Sequence, residues 1–129
     1  MATACCPPRS LVALLGLLVL LGSIPPLFAD TTQTGVASFY HNRFHGRRTA
    51  NGERYRKDEY TAAHRRLPFD SRVRVTNLSN DRSVVVRIND RGPYARRRII
   101  DLSRQAASDL GFIEKGVTKV KIEVLERGG

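Results

Sequence analysis

Polar and apolar residues alternate over Arg72-Val73-Arg74-Val75-Thr76-Asn77 up to the closing polar Asn77, the pattern of a half-buried strand. The same alternation returns near the end, where Val120, Ile122 and Val124 are expected inward and Lys119, Lys121 and Glu123 outward. Gly35-Val36-Ala37-Ser38-Phe39-Tyr40 reads as a first strand. Thr61-Ala62-Ala63-His64 is a brief apolar piece, and Ile99-Ile100 follows the cationic run Arg96-Arg97-Arg98. Ser83 to Ile88 carries Val84, Val85 and Val86 together and is expected to be a strand buried on both faces. Only Ser103 to Leu110 has helical spacing: Ser103 is an N-cap, Ala106, Ala107 and Leu110 share a face, and Gly111 stops the helix. Between the first strand and Thr61 lies a stretch rich in Gly, Asn, Arg and Lys with no period. A loop of that length in a small domain is usually functional. Five or six short strands and one short helix predict an all-β domain, most economically a small closed barrel.

The N-terminal pattern is of another kind. Leu11 to Leu21 is nearly all apolar, preceded by Arg9 and followed by Gly22, Ser23, Pro25 and Pro26. This run is too short for a bilayer span, which needs ~20 residues. A basic start, a short apolar core and a helix-breaking stretch make a secretory signal, with the cut expected at Ala29|Asp30. The expected organisation is therefore a signal over residues 1–29 and a single domain over residues 30–129. Both cysteines, Cys5 and Cys6, precede the apolar run, and no Cys follows it where a lipoprotein would be acylated. An exported, monomeric product is expected, periplasmic or extracellular, with no disulfide and no membrane anchor after cleavage.

With 129 residues the chain is limited to about one domain, which excludes doubly wound nucleotide enzymes and TIM barrels. Its 22 Lys and Arg against 12 Asp and Glu give +10, and nearly all of that excess lies beyond Ala29. Such a charge predicts an anionic partner. Export argues against nucleic acid and for an acidic wall polymer.

Chemistry is expected from carboxylates in turns. Asp90 ends the Val-rich strand and precedes Arg91-Gly92-Pro93, where Arg91 can tune it; its plainer role is to cap that turn. Glu53 follows the Asn51-Gly52 turn signal inside the basic loop, where a solvated charge is the ordinary reading. Asp101 is expected at the start of the helix, as an anion favoured by the dipole. His64 has the near-neutral pKa of a proton shuttle, or is simply a hydrogen-bonded histidine. His41 and His45 are four apart but not in a helical sequence, and no Glu lies between them, so no metal site is expected. No Gly-x-Ser-x-Gly elbow or phosphate loop occurs. Tyr40, Phe44, Tyr55, Tyr60 and Tyr94 fall in or beside loops, where rings can stack on sugars.

Taken in order, Gly35–Tyr40, Phe44-His45-Gly46-Arg47-Arg48-Thr49-Ala50-Asn51-Gly52-Glu53, Thr61–His64, Leu67-Pro68-Phe69, Val73–Leu78, Asn89-Asp90-Arg91-Gly92-Pro93-Tyr94 and Arg98–Ser103 form a linked set. The set resembles the rare lipoprotein A (RlpA) family of endolytic peptidoglycan lytic transglycosylases, from about Gly35 to Leu125. The resemblance implies a six-stranded double-psi β-barrel with one or two short helices, related in fold to expansins. It implies non-hydrolytic cleavage of glycan strands lacking stem peptides, leaving anhydro-muramic ends, with no cofactor. Asp90 matches the family's Asp-Arg-Gly-Pro aspartate and is the implied acid/base. Glu53, in Thr-Ala-Asn-Gly-Glu, is the implied second carboxylate. His64 would orient a carboxylate or sugar; Asp101, Tyr40, Asn51 and Arg91 are further supporting or substrate-binding candidates. Arg56 stands where the family often has an acid, and the C-terminal glycan-binding repeat of many members is not found. A non-catalytic, expansin-like wall-binding module is the competing expectation.

Overall fold

The computed structural model describes residues 32–128. The expected signal and its cleavage point lie outside them. Six strands close into one barrel: β1 (Thr32–Phe39), β2 (Thr61–Ala63), β3 (Arg72–Asn77), β4 (Ser83–Asp90), β5 (Arg98–Leu102) and β6 (Val117–Glu126). A helix, α1 (Arg104–Leu110), joins β5 to β6. The order around the barrel is β1-β5-β2-β4-β3-β6. β1 runs parallel to β5 and β2 parallel to β4, while the other four pairings are antiparallel. Every strand has a neighbour on both sides, so the barrel has no edge strand.

Alternation does what the sequence led us to expect in β3 and β6. Val73, Val75, Val120 and Ile122 are buried, meeting Val86, Ile88, Ile100 and Leu102 from the other strands. β4 departs from expectation. Its Val85 is 41% exposed, so the valine run is buried on one face only. A barrel strand has a single inward face, and three consecutive valines cannot all occupy it. The first strand also begins earlier than expected, at Thr32, because its N-terminal half pairs with β6. Gly35 is required there: a Cβ would lie 2.6 Å from the Ile99 side chain that crosses it.

The helix follows its sequence signals. Ser103 caps it by accepting the Ala106 N–H, and Gly111 ends it in the left-handed region at φ 80°. Ala106, Ala107 and Leu110 are buried under the barrel wall. Burial of a leucine such as Leu110 stabilises by roughly 1.5–3 kcal/mol. The helix starts at Arg104, three residues beyond Asp101. Asp101 lies in β5, paired with Ser38 and Ala63, and so is not a helix-dipole anion.

The expected long loop, 41–60, is not structureless. His41 caps a 3-10 turn at Asn42–Phe44, and a bridge between Arg48 and Arg54 folds the rest into a small hairpin. The hairpin lies over the end of β4: Asn51 N–H reaches Asn89 O at 3.3 Å.

Candidate active site

A bulge determines where Asp90 points. β2 and β4 pair Ala62 with Ile88 and then Ala63 with Asp90, so Asn89 is an extra residue in β4. Simple alternation from Val86 and Ile88 would send Asp90 into the core. The bulge reverses that and aims it outward. Ala63 also pairs with Asp101 on its other side, through β5. Residues paired across strands face the same side of the sheet. Asp90 and Asp101 therefore share an outer face, separated by β2 at two strand spacings, roughly 10 Å at the backbone.

The Asp90 carboxylate accepts three hydrogen bonds. Oδ1 takes the N–H of Ala50 at 2.8 Å and that of Arg91 at 2.8 Å. Oδ2 takes the Tyr40 hydroxyl at 2.6 Å. Tyr40 follows β1 and is fixed by its own N–H to Leu102 O at 3.0 Å. Burial, then the bond to Asp90 and the nearby Asp90 and Asp101 charges, push the Tyr40 pKa well above its ordinary value. Tyr40 therefore keeps its proton and serves Asp90 as a donor. Asp101 accepts from the Ser38 hydroxyl and lies 3.6 Å from Arg98 Nη1. Arg98 also donates to Ser38 Oγ at 2.8 Å, completing a small polar cluster beside the site.

Glu53 is brought to the same end of β4 but has different neighbours. Arg87 grips it with two bonds, Nη2 to Oε1 at 2.9 Å and Nη1 to Oε2 at 3.1 Å, and Asn89 Nδ2 adds a third at 3.2 Å. Its pKa is lowered, chiefly by the Arg87 bond. Asn51 shapes the turn itself: its Oδ1 accepts the Glu53 N–H at 3.1 Å and the Thr49 hydroxyl at 2.6 Å. This turn presents Ala50 N–H to Asp90. Glu53 and Asn51 thus act on Asp90 through backbone geometry. Arg56 pairs with Glu59 at 3.5 Å on the exposed side of the loop.

The His64 ring turns away from both carboxylates. Its Nδ1 accepts the N–H groups of Arg66 and Leu67, each at 3.1 Å, and its Nε2 meets Gln33 Oε1 at 3.1 Å. The connection to Asp90 is through the main chain, His64 N–H to Asp90 O at 3.2 Å. Burial, helped by Arg91, Arg65 and Arg66, lowers its pKa from 6.5 to about 4. As pH falls below 6.5 the unfolded chain takes up this proton first, and the folded one only near 4. The contribution is complete above 6.5 and is lost on the way down. His64→Asn, which keeps an acceptor for the two N–H groups, should flatten this part of the stability curve. The difference expected in denaturant titrations across that pH range is roughly 1 to 2 kcal/mol, reduced for the ring's partial contact with solvent.

Two arginines clasp the segments on either side of Asp90. Arg91 donates to His64 O at 3.1 Å and Leu67 O at 2.8 Å, with its guanidinium 4.1 Å from the Phe69 ring centroid. Arg65 answers from the other segment, donating to the carbonyls of Pro93, Ala95 and Arg98. The clasp fixes the residue whose N–H holds Asp90 Oδ1. Of the loop aromatics, Tyr94 is 80% exposed and Tyr60 43%, whereas Tyr55 is buried beneath Tyr40 with ring centroids 4.6 Å apart. Tyr55 therefore supports Tyr40 and offers no free face. Among the described residues no group of three or more His, Cys, Asp or Glu is placed to hold a metal ion.

A carboxylate held by one hydroxyl and two backbone N–H groups on the outer face of the barrel is placed to exchange a proton with a bound group. The family model described as lytic transglycolase matches residues 32–122, most of the chain. The chain belongs to the lytic transglycolase family. A relative from Neisseria meningitidis, named endolytic peptidoglycan transglycosylase RlpA, is 56% identical over 100 residues, covering 78% of this chain and 42% of its own length. The chain thus spans less than half of that relative. Among solved structures, a Streptomyces papain inhibitor matches with TM-score 0.62 at 21% identity, over 75% of this chain and 96% of its own. An expansin from Clavibacter michiganensis matches at 0.60 and 16%, over 76% of this chain and 52% of its own. These two share the fold, and the six-stranded double-psi β-barrel is the architecture of this lytic transglycolase family member.

Three features of the site have no sequence signal of their own: the Ala50 N–H, the Asn89 bulge and the Arg65 clasp. A backbone donor and a bulge leave no mark in residue type.

Proposed function

We propose that this chain is an exported endolytic lytic transglycosylase, cleaving peptidoglycan glycan strands that lack stem peptides. The observation that carries the reading is the outward Asp90, bound by Tyr40, Ala50 and Arg91. In its acid form Asp90 gives a proton to the departing glycosidic oxygen as the bond to the muramic anomeric carbon breaks. The carboxylate left behind takes the proton of the muramic C6 hydroxyl, whose oxygen closes onto that carbon. The proton returns to Asp90, water is not consumed, and the product ends in an anhydro ring. One carboxyl can serve as acid and base in turn. Tyr40 steadies its charged form. Asp101, on the same face, is the second carboxylate available to a cationic transition state. Glu53, neutralised by Arg87, has the part of setting the Ala50 turn.

The test is to incubate the protein with denuded glycan strands and read the products by mass spectrometry. Anhydro-muramic ends are expected. Binding without any cleavage would favour the expansin-like wall-binding reading instead.

A further inference from the structure

Two arginines beside the site have no anionic partner among the described residues. Arg43 and Arg47 are exposed, and their guanidinium carbons lie 5.1 and 5.2 Å from the centroid of one ring, Phe44. Neither guanidinium has a carboxylate within ion-pairing distance or a hydrogen bond to the chain among the described residues. Their neighbours are otherwise used: Arg48 donates to Gly52 O and Arg54 to Gly46 O, while Arg87 holds Glu53. Two like charges gathered on one ring repel each other, and an anion between or beside them relieves that cost.

Their placement is not loose. The 3-10 turn carrying Arg43 and Phe44 is capped by His41, whose Nδ1 accepts the Arg43 N–H at 3.2 Å. Arg47 N–H closes back on Phe44 O at 2.9 Å, and Gly46 N–H is held by Tyr55 O at 2.8 Å. Phe44 meets Tyr40 edge-on with centroids 6.1 Å apart, and Tyr40 bonds Asp90. Two aromatic rings in contact, Phe44 and Tyr40, therefore link the arginine pair to the acid/base, which puts the pair on the side of the site where a neighbouring sugar of the same strand would lie.

We infer that Arg43 and Arg47 form an anion subsite that reads a free carboxylate on the glycan. This rests on the reading of the substrate as peptidoglycan. Muramic acid carries a lactyl ether that ends in a carboxylate when no peptide is attached and in a neutral amide when one is. A guanidinium pair binds the first with charge-assisted hydrogen bonds and gains nothing comparable from the second. The subsite makes selectivity for bare strands a matter of charge as well as of room.

The experiment compares denuded glycan strands with the same strands after the lactyl carboxylates are converted to primary amides, which removes charge with little change of size. The parent protein should show a KM roughly 10-fold lower for the carboxylate form with kcat little changed. Arg43→Gln/Arg47→Gln, both exposed positions, should erase the difference, and Arg43→Lys/Arg47→Lys should restore part of it. Equal KM values for the two substrates in the parent would overturn the inference. So would a double Gln variant that folds and still discriminates. If nothing is cleaved, the transglycosylase reading fails, and equilibrium binding of the same two strands still decides the subsite: a parent preference for the carboxylate form, lost in the double Gln variant, supports it, and equal binding overturns it.

Discussion

An Asp90→Asn variant is expected to fold, to bind glycan within a few-fold of the parent, and to cleave it roughly 10²–10⁴ times more slowly. The fold should survive because Asn can keep the pattern of contacts. Its Oδ1 accepts the Ala50 and Arg91 N–H groups as the aspartate does, and the Tyr40 hydroxyl can rotate to accept from Nδ2. What is lost is the ability to release and regain a proton. Glu53→Gln is the matching control. It breaks an exposed pair with Arg87, worth about 0.2–1 kcal/mol, and leaves the proton-moving group in place. A loss of turnover confined to Glu53→Gln would move the acid/base to that residue.

Tyr40→Phe is the second large effect. The ring, its packing on Tyr55 and Phe44, and any stacking on sugar are retained. Only the hydroxyl at 2.6 Å from Asp90 Oδ2 is removed. A hydrogen bond to a charged group contributes about 1.5–3 kcal/mol, so kcat should fall by roughly 10- to 150-fold. KM should change little, since the hydroxyl faces the carboxylate. Steady-state kinetics on denuded strands separates the two roles of Tyr40. If it is only a platform for sugar, kcat stays near the parent value and the hydrogen bond has no catalytic part.

Much of the barrel is written in local pattern. The alternation of Val73 with Val75 and of Val120 with Ile122 marks core-facing strands, and Ser103 and Gly111 mark both ends of the helix. The sequence offers candidate residues for the site but not their arrangement. Tyr40 and Asp90 are 50 positions apart, and nothing in their surroundings says that one donates to the other. Alternation along β4 alone would have buried Asp90, because the bulge at Asn89 depends on how β2 and β4 pair. Sequence proximity groups Asp101 with the helix that follows it, but the Ser103 cap leaves it in a strand, where pairing with Ala63 brings it to Asp90's face. Glu53 had the composition of a catalytic carboxylate. Its engagement with Arg87, across 34 positions, is a tertiary fact. The cation runs also divide: Arg65 and Arg91 are spent on carbonyls, Arg87 on carboxylates, and Arg43 and Arg47 remain for a ligand.

In the proposed reaction Asp90 directs an internal attack by the muramic C6 oxygen, and water takes no part. Cleavage of denuded strands in water enriched in heavy oxygen tests this directly. Anhydro-muramic ends carrying no heavy oxygen are expected from the parent protein, and the same product roughly 10²–10⁴ times more slowly from Asp90→Asn. Reducing ends that carry the label would show hydrolysis and contradict it.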